Sequence, residues 1–236
     1  INQIKGLWNA ESALASVKDY KNQRDYAASA NTGRYLFTAI DGDNDGITDA
    51  GDSVAFTQSA FAGKSHLLHA NNDVALNIID YIRGTDLPGM RPRMGDVISG
   101  NDTLEPWLLG DIANASPVIV GAPKVSYDIE YSDNTYATYR KHYRDRRNMV
   151  YAAANDGVLH AFNAGFYDPT KKQFSTDKHP LGSELWGYIP YNLLGHLQWL
   201  TDYNYPHVAY LDGQLKSFDV NIFKADEDHP YGWGTI

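Results

Sequence analysis

The sequence predicts a mainly β protein: a partial, incomplete antiparallel β-propeller preceded by a small α+β segment that carries a calcium loop. Three observations predict it. Residues 149–153 are a short apolar run, Asn155-Asp156-Gly157 is a tight-turn signal, and residues 158–163 alternate apolar with polar, which together read as strand, turn and strand. Residues 184–189 supply a third strand, whose Trp186 and Tyr188 share one face at the two-residue period. A lone sheet of this kind buries its hydrophobic faces only against neighbouring sheets, so the unit implies a larger ring.

The other elements follow in chain order. Residues 7–17 combine helix formers with apolar Leu7, Trp8, Leu14 and Val17 and predict an amphipathic helix; residues 19–34 are polar and predict a loop. Residues 34–40 predict a strand that runs into an acidic loop, and residues 53–57 a strand that leaves it. Residues 65–81 predict a second helix with Leu68, Val74, Leu76, Ile78, Ile79 and Tyr81 on its apolar face, stopped at Gly84 within Arg83-Gly84-Thr85-Asp86. Pro88, Gly89, Pro92, Gly95 and Gly100 mark residues 85–106 as a linker, which divides the chain into an N-terminal α+β segment, 1–84, and the first blades of a propeller, 107–236. Residues 193–203 predict a third helical piece. Residues 207–211, the Asp212-Gly213 turn and residues 215–223 predict a hairpin.

Composition narrows the function classes. The 236 residues are 43% hydrophobic and 21% charged, ordinary for a globular chain with a sizeable core. A net charge of -9 argues against nucleic acid as a partner and against an anionic membrane surface, because polyphosphate needs a basic face. With no cysteine, disulfides, cysteine zinc sites and thiol nucleophiles are excluded, while the compartment stays open. No apolar run reaches the roughly 18 residues of a membrane span, so an integral membrane protein is not expected. The start Ile1-Asn2-Gln3 has no initiator Met or apolar signal core, so a signal peptide is expected to have been removed or to lie upstream. Residues 231–236 read as the beginning of a further blade strand, and the chain is expected to be a fragment of a longer protein.

The clearest chemistry lies in Asp41-Gly42-Asp43-Asn44-Asp45-Gly46-Ile47-Thr48-Asp49-Ala50-Gly51-Asp52, with carboxylates at positions 1, 3, 5, 9 and 12 of an EF-hand-like loop. Calcium takes six to eight hard oxygen ligands at about 2.3–2.6 Å, and short acids alternating around a sharp turn can wrap it. The pattern assigns side-chain oxygens to Asp41, Asp43 and Asp45, a backbone carbonyl to Ile47, and a direct or water-mediated contact to Asp49. Asp52 stands where a bidentate Glu is usual; with its shorter reach either the loop tightens or Asp52 stands behind the ligands, and affinity is expected to fall toward the weak, extracellular range. The flanks predict a strand-loop-strand calcium staple instead of a helix pair. The competing reading is an acidic, solvated turn. Five carboxylates so close together repel unless a cation offsets them, which favours calcium.

Weaker constellations carry less. His160 shares a face with Phe162 and is expected to be packed and hydrogen-bonded; His66 and His69 lack a third ligand. The basic run at 140–147 predicts a solvated approach to the strand that follows, with the grip of an acidic partner as the lesser alternative, and Asp226-Glu227-Asp228 fits a cation site and a polar insertion equally well. No catalytic site is predicted, since no Ser-His-Asp order, phosphate-cradling glycine loop or isolated carboxylate pair stands out.

ANDGVLHAFNA at 154–164 followed by GSELWGYIP at 182–190 resembles the quinoprotein-type propeller repeat, in the version carried by the PilY1/PilC family of type IV pilus proteins. The run Leu109-Gly110-Asp111-Ile112-Ala113-Asn114-Ala115-Ser116-Pro117-Val118 is similar to the segment that leads into that family's propeller, and Ile79-Asp80-Tyr81-Ile82-Arg83-Gly84 to the helix and turn before it, so the likeness covers roughly the last two-thirds of the chain. The resemblance implies a non-enzymatic extracellular component of the type IV pilus machinery, pilus-associated at the cell surface and exported through the periplasm, concerned with assembly, retraction control and adhesion. Implied partners are pilus or minor pilin proteins, with host-surface ligands as a further class. The family's calcium loop has similar spacing but lies inside the propeller, so a structural calcium is expected here. The alternative is a fragment of a PQQ-dependent quinoprotein dehydrogenase, built from the same repeat; the absent cysteines and the Gly110-to-Val118 lead-in favour the pilus reading.

Overall fold

One mixed sheet organises the chain. The computed structural model describes residues 6–98 and 103–236; the first three residues and Gly100 of the expected linker lie outside the described residues. In order, the elements are α1 (Ala10–Ala15), β1 (Leu36–Ala39), β2 (Ser53–Ala55), α2 (Asn72–Arg83), β3 (Met94–Gly95), β4 (Glu105–Pro106), β5 (Val118–Val120), α3 (Tyr127–Glu130) and α4 (Asn134–His142). There follow β6 (Asn148–Ala153), β7 (Leu159–Asp168), β8 (Gln173–Ser175), β9 (Glu184–Tyr188), β10 (Asp219–Asn221) and β11 (Trp233–Thr235). The mainly β expectation holds, with few helices, and no closed barrel or ring forms among the described residues.

Strands β5, β6, β7 and β9 pair antiparallel as a four-stranded meander. The expected turn joins β6 to β7: Gly157 sits at φ 84 and its N–H reaches the Ala154 carbonyl at 3.2 Å, a left-handed position that suits glycine. On the far side β1 joins β9 in parallel and β2 pairs antiparallel with β1, so residues on either side of the 85–106 segment share this sheet. β8 folds back on the end of β7. One sheet face packs on α2 and the 3₁₀ segment Tyr191–Thr201 through Leu36, Phe56, Ile78, Ile79, Val158 and Leu197. The other face carries Met149, Ala161 and Leu185 with Tyr151 and Trp186. Phe37 packs its ring on both Trp186 and Tyr188, at 5.8 and 5.4 Å between centroids, as the shared face of those two residues requires.

Several predicted elements change length or partner. The first helix is only α1: the Asn9 side chain accepts the Ser12 N–H and starts it, leaving Leu7 and Trp8 outside. The second is split, because the Asn71 side chain accepts from the amides of Asp73 and Val74 and caps α2 seven residues later than expected, after a 3₁₀ turn at Ser65–Leu67. Gly84 ends α2 at φ 133, where an added Cβ would sit 2.7 Å from the Tyr20 ring. The third helical piece is 3₁₀ throughout. The hairpin expected at 207–223 does not form. Instead the Tyr210 amide bonds Asn155, and Asp212 accepts the Asn114 amide at 2.9 Å, so this stretch lies pinned across the β6–β7 turn. β10 then pairs with β11, which confirms a strand near the end of the chain.

Gly110 marks how closely the lead-in segment meets that turn. Its amide donates to Asp156 at 2.9 Å, and a Cβ there would stand 2.4 Å from the Asp156 nitrogen. Gly110→Ala is therefore expected to cost about 1–3 kcal/mol in urea unfolding. Gly213→Ala, which would meet no atom within 4 Å, serves as the neutral control.

Candidate metal centre and buried ion network

The acidic loop spans the tip of the β1–β2 hairpin, whose register places Ala39 opposite Ser53. Strand, loop and strand follow as the flanks predict. Asn44 at φ 59 and Gly46 at φ 78 turn the chain sharply. Asp41 accepts the Gly46 amide at 3.0 Å and Asp45 the Ile47 amide at 2.7 Å. These bonds fold the loop so that one carboxylate oxygen from each of Asp41, Asp43 and Asp45 lies within 4.8 Å of the others, all three side chains being exposed. Hard oxygen donors at that spacing suit calcium in kind.

The remaining predicted ligands stand elsewhere in the loop. Asp49 caps the 3₁₀ turn Ala50–Asp52, accepting the Gly51 amide at 2.6 Å. Asp52 is buried and closes the neck of the loop, taking the Gly42 amide at 3.0 Å and the Asp49 amide at 3.1 Å. Those two amides hold its carboxyl below the usual carboxylate range. The Ile47 side chain is exposed at the tip.

A second polar assembly, invisible in sequence, lies beneath the sheet. Arg34 grips Glu184 with two bonds of 2.8 Å, both side chains almost wholly buried. Glu184 meets His160 Nδ1 at 2.7 Å, and His160 Nε2 meets Asp156 at 3.0 Å. Asp156 is the residue that receives the Gly110 amide. Arg34 also donates to the carbonyls of Ile82 and Arg83, while buried Arg83 bonds the carbonyls of Tyr20, Asn22, Arg34 and Phe56. Glu11 of α1 accepts the Leu108 and Leu109 amides, both at 2.9 Å.

Electrostatics follow from this geometry. Burial tends to depress the His160 imidazole, but Asp156 and Glu184 outweigh it and raise its pKa from 6.5 to about 9. Burial tends to raise Glu184, yet Arg34 and then His160 hold it far below the usual carboxylate range. With both ring nitrogens engaged and no exposed surface, His160 is the packed, bonded histidine that strand alternation indicates. His69 is likewise occupied, its Nδ1 accepting the Asn71 amide. Asp226 accepts from His229.

Strand alternation hides Glu184 as a buried anion, because the two-residue period puts it on the same face as Trp186 and Tyr188. A bulge decides it: Ala161 pairs with Trp186 and Phe162 with Glu184, so Glu184 turns to the face of His160. The basic run at 140–147 also differs from expectation. Lys141, His142 and Arg144 are exposed, Arg144 pairing with adjacent Asp145, but Arg140 pairs with Asp128, Arg147 with Asp177, and Arg146 donates to the Gly121 carbonyl and to Thr235.

These features define a mainly β protein whose antiparallel meander is locked by a buried ion network and bears an oxygen-rich turn at one end. Its sequence is similar to PilY1 proteins. It is 30% identical over 161 residues to a type IV pilus biogenesis factor PilY1 homolog of Xylella fastidiosa, covering 67% of this chain and 11% of that protein. Against type IV pilus biogenesis factor PilY1 of Pseudomonas aeruginosa strain PAO1 the identity is 34% over 113 residues, 45% of this chain and 8% of that protein. The chain thus spans about a tenth of the length of the curated relatives it matches. No protein-family model matches it, and no solved structure does. Among the described residues no helix is long and apolar enough to cross a membrane.

Because the folded-state pKa of His160 is raised, its contribution to stability is complete below about pH 6.5 and is lost as pH rises through about 9. Urea unfolding between these values is expected to show stability falling with pH in the native chain and a flatter profile in His160→Gln.

Proposed function

We propose that this chain is a non-enzymatic part of the type IV pilus machinery, working at the cell surface after export through the periplasm. The similarity to PilY1 pilus biogenesis factors over two-thirds of the chain carries this reading. In it, β5, β6, β7 and β9 form one propeller blade, β10 and β11 begin the next, and residues 1–84 form an N-terminal segment docked on the blade's outer strand. A four-stranded antiparallel meander is the unit from which propellers are built. The blade serves as a rigid platform for pilus or minor pilin proteins, with attachment to host-surface ligands as a further role.

The acidic loop is then a structural calcium staple, with Asp41, Asp43 and Asp45 as side-chain ligands, the Ile47 carbonyl completing the turn and Asp49 acting directly or through water. Asp52 shapes the loop from its neck. The supporting observation is the convergence of three carboxylate oxygens within 4.8 Å. Affinity falls in the weak range of extracellular calcium modules, about 10⁻⁴–10⁻³ M, because the short Asp52 replaces a bidentate Glu.

Two measurements test these readings separately. In a piliated bacterium that encodes this chain, deleting its coding segment is expected to abolish surface pili and surface motility; normal piliation with normal motility overturns the pilus role. Calorimetric calcium titration is expected to give one saturable site, absent in Asp43→Ala and Asp45→Ala, with the melting temperature raised by calcium only in the native chain. Heat and melting indifferent to calcium make the loop a solvated acidic turn.

A further inference from the structure

One histidine anchors the loop between β8 and β9. Every residue from 169 to 180 is exposed except His179, which is 4% exposed. The backbone around it is tied down. Its amide donates to Asp177 at 3.0 Å, and the Asn163 side chain donates to its carbonyl at 2.7 Å and to the Pro180 carbonyl at 3.0 Å. The Asn163 carbonyl accepts the Gly182 amide at 2.8 Å, and the Asn163 amide donates to the Ser183 carbonyl at 2.9 Å. Gly182, at φ 79, lies so near Trp8 that a Cβ would stand 2.9 Å from the indole. The loop is thus closed against β7, with a buried ring at its centre.

That ring suits only its uncharged form. Its Nδ1 is buried and meets no hydrogen-bond partner among the described residues. An uncharged imidazole leaves one nitrogen without a proton, whereas a charged one carries an N–H on both. Protonation in place would therefore bury an N–H with nothing to accept it. The neighbouring charges give no relief. On the loop itself, Asp177 is committed to Arg147, which holds its carboxyl down at about 2, and Lys178 adds a positive charge. From the start of β6 comes Arg147, and from the loop before β1 comes Arg24, which bonds the carbonyls of Asp25, Tyr26, Ala28, Glu184 and Leu185. Burial, with Arg147, Arg24 and Lys178 acting against Asp177, holds the His179 imidazole below its ordinary value.

We propose that the loop at 176–182 is an acid-released latch, closed while His179 is neutral and opened when the ring takes a proton and turns out into water. A histidine whose folded value is lowered supports the closed state fully above about pH 6.5 and loses that support as pH falls below it, by up to about tenfold in the opening equilibrium per pH unit. His160, charged up to about 9, and Asp177, charged down to about 2, do not change across this window. Opening removes the Gly182 contact from Trp8 and frees the Asn163 carboxamide.

The test is amide hydrogen exchange of the 236-residue chain, read residue by residue by NMR from about pH 7 to about pH 5 and corrected for the intrinsic rate. The Gly182 amide is expected to lose about tenfold or more in protection over that range, while the Ala75 amide, bonded to the Asn71 carbonyl in α2, keeps its own. His179→Phe and His179→Gln are expected to give protection at Gly182 that does not vary with pH. His179→Lys, which carries a charge throughout, is expected to leave Gly182 unprotected at both ends of the range. Constant protection at Gly182 in the native chain, an acid loss that persists in His179→Phe or His179→Gln, or a His179 ring that titrates at or above about 6.5 with the loop still closed overturns the proposal.

Discussion

The buried pairing of Arg34 with Glu184 is the constraint on which the rest of the structure depends. Two charges withdrawn from water are tolerated only when every donor and acceptor is met, and here they are: Glu184 takes two bonds from Arg34 and one from His160, and Arg34 spends its remaining reach on the carbonyls that end α2. The chain of bonds continues through His160 and Asp156 to the Gly110 amide. It therefore links the polar loop before β1, the end of α2, two sheet strands, the β6–β7 turn and the segment that leads into β5. Such a network contributes less to net stability than to choosing one arrangement, because any other packing strands a buried charge.

That choice explains how the N-terminal segment meets the sheet. β1 makes only a short parallel ladder with β9, Leu36 opposite Gly187 and Phe37 opposite Tyr188, too few bonds to hold a strand by themselves. Arg34 immediately before β1 and Arg24 in the preceding loop, which donates to the carbonyls of Glu184 and Leu185, secure it from one side. Phe37, packed against Trp186 and Tyr188, secures it from the other. Gly187 is needed at this contact, since a Cβ would stand 2.6 Å from Leu36. The β1–β2 hairpin is thus rigid at its base, which leaves the acidic turn to be organised by its own amides.

The loop and the network differ in kind. In the loop Asp52 and Asp49 use local amides to close a neck, and the acids beyond it remain exposed to water. In the network Glu184 is paired with Arg34 and His160, and Asp156 with His160.

Local pattern alone determined much of this protein. Alternation and the Asn155-Asp156-Gly157 turn specified β6, β7 and β9, the acid spacing specified the loop between two strands, and Gly84 specified where α2 stops, because each depends on residues only a few positions apart. Tertiary structure decided the rest. Side-chain caps at Asn9 and Asn71 overrode helical periodicity at the starts of α1 and α2, and Asn155 and Asn114 captured residues 207–214 that local pattern assigned to a hairpin. Arg34, Glu184 and His160 are separated by more than a hundred residues of chain or by a bulge that reverses a strand's facing, and no local period records such a meeting. Which polar residues are buried is settled by the partners they find in space, since burial of a charge is affordable only where its counterpart already stands.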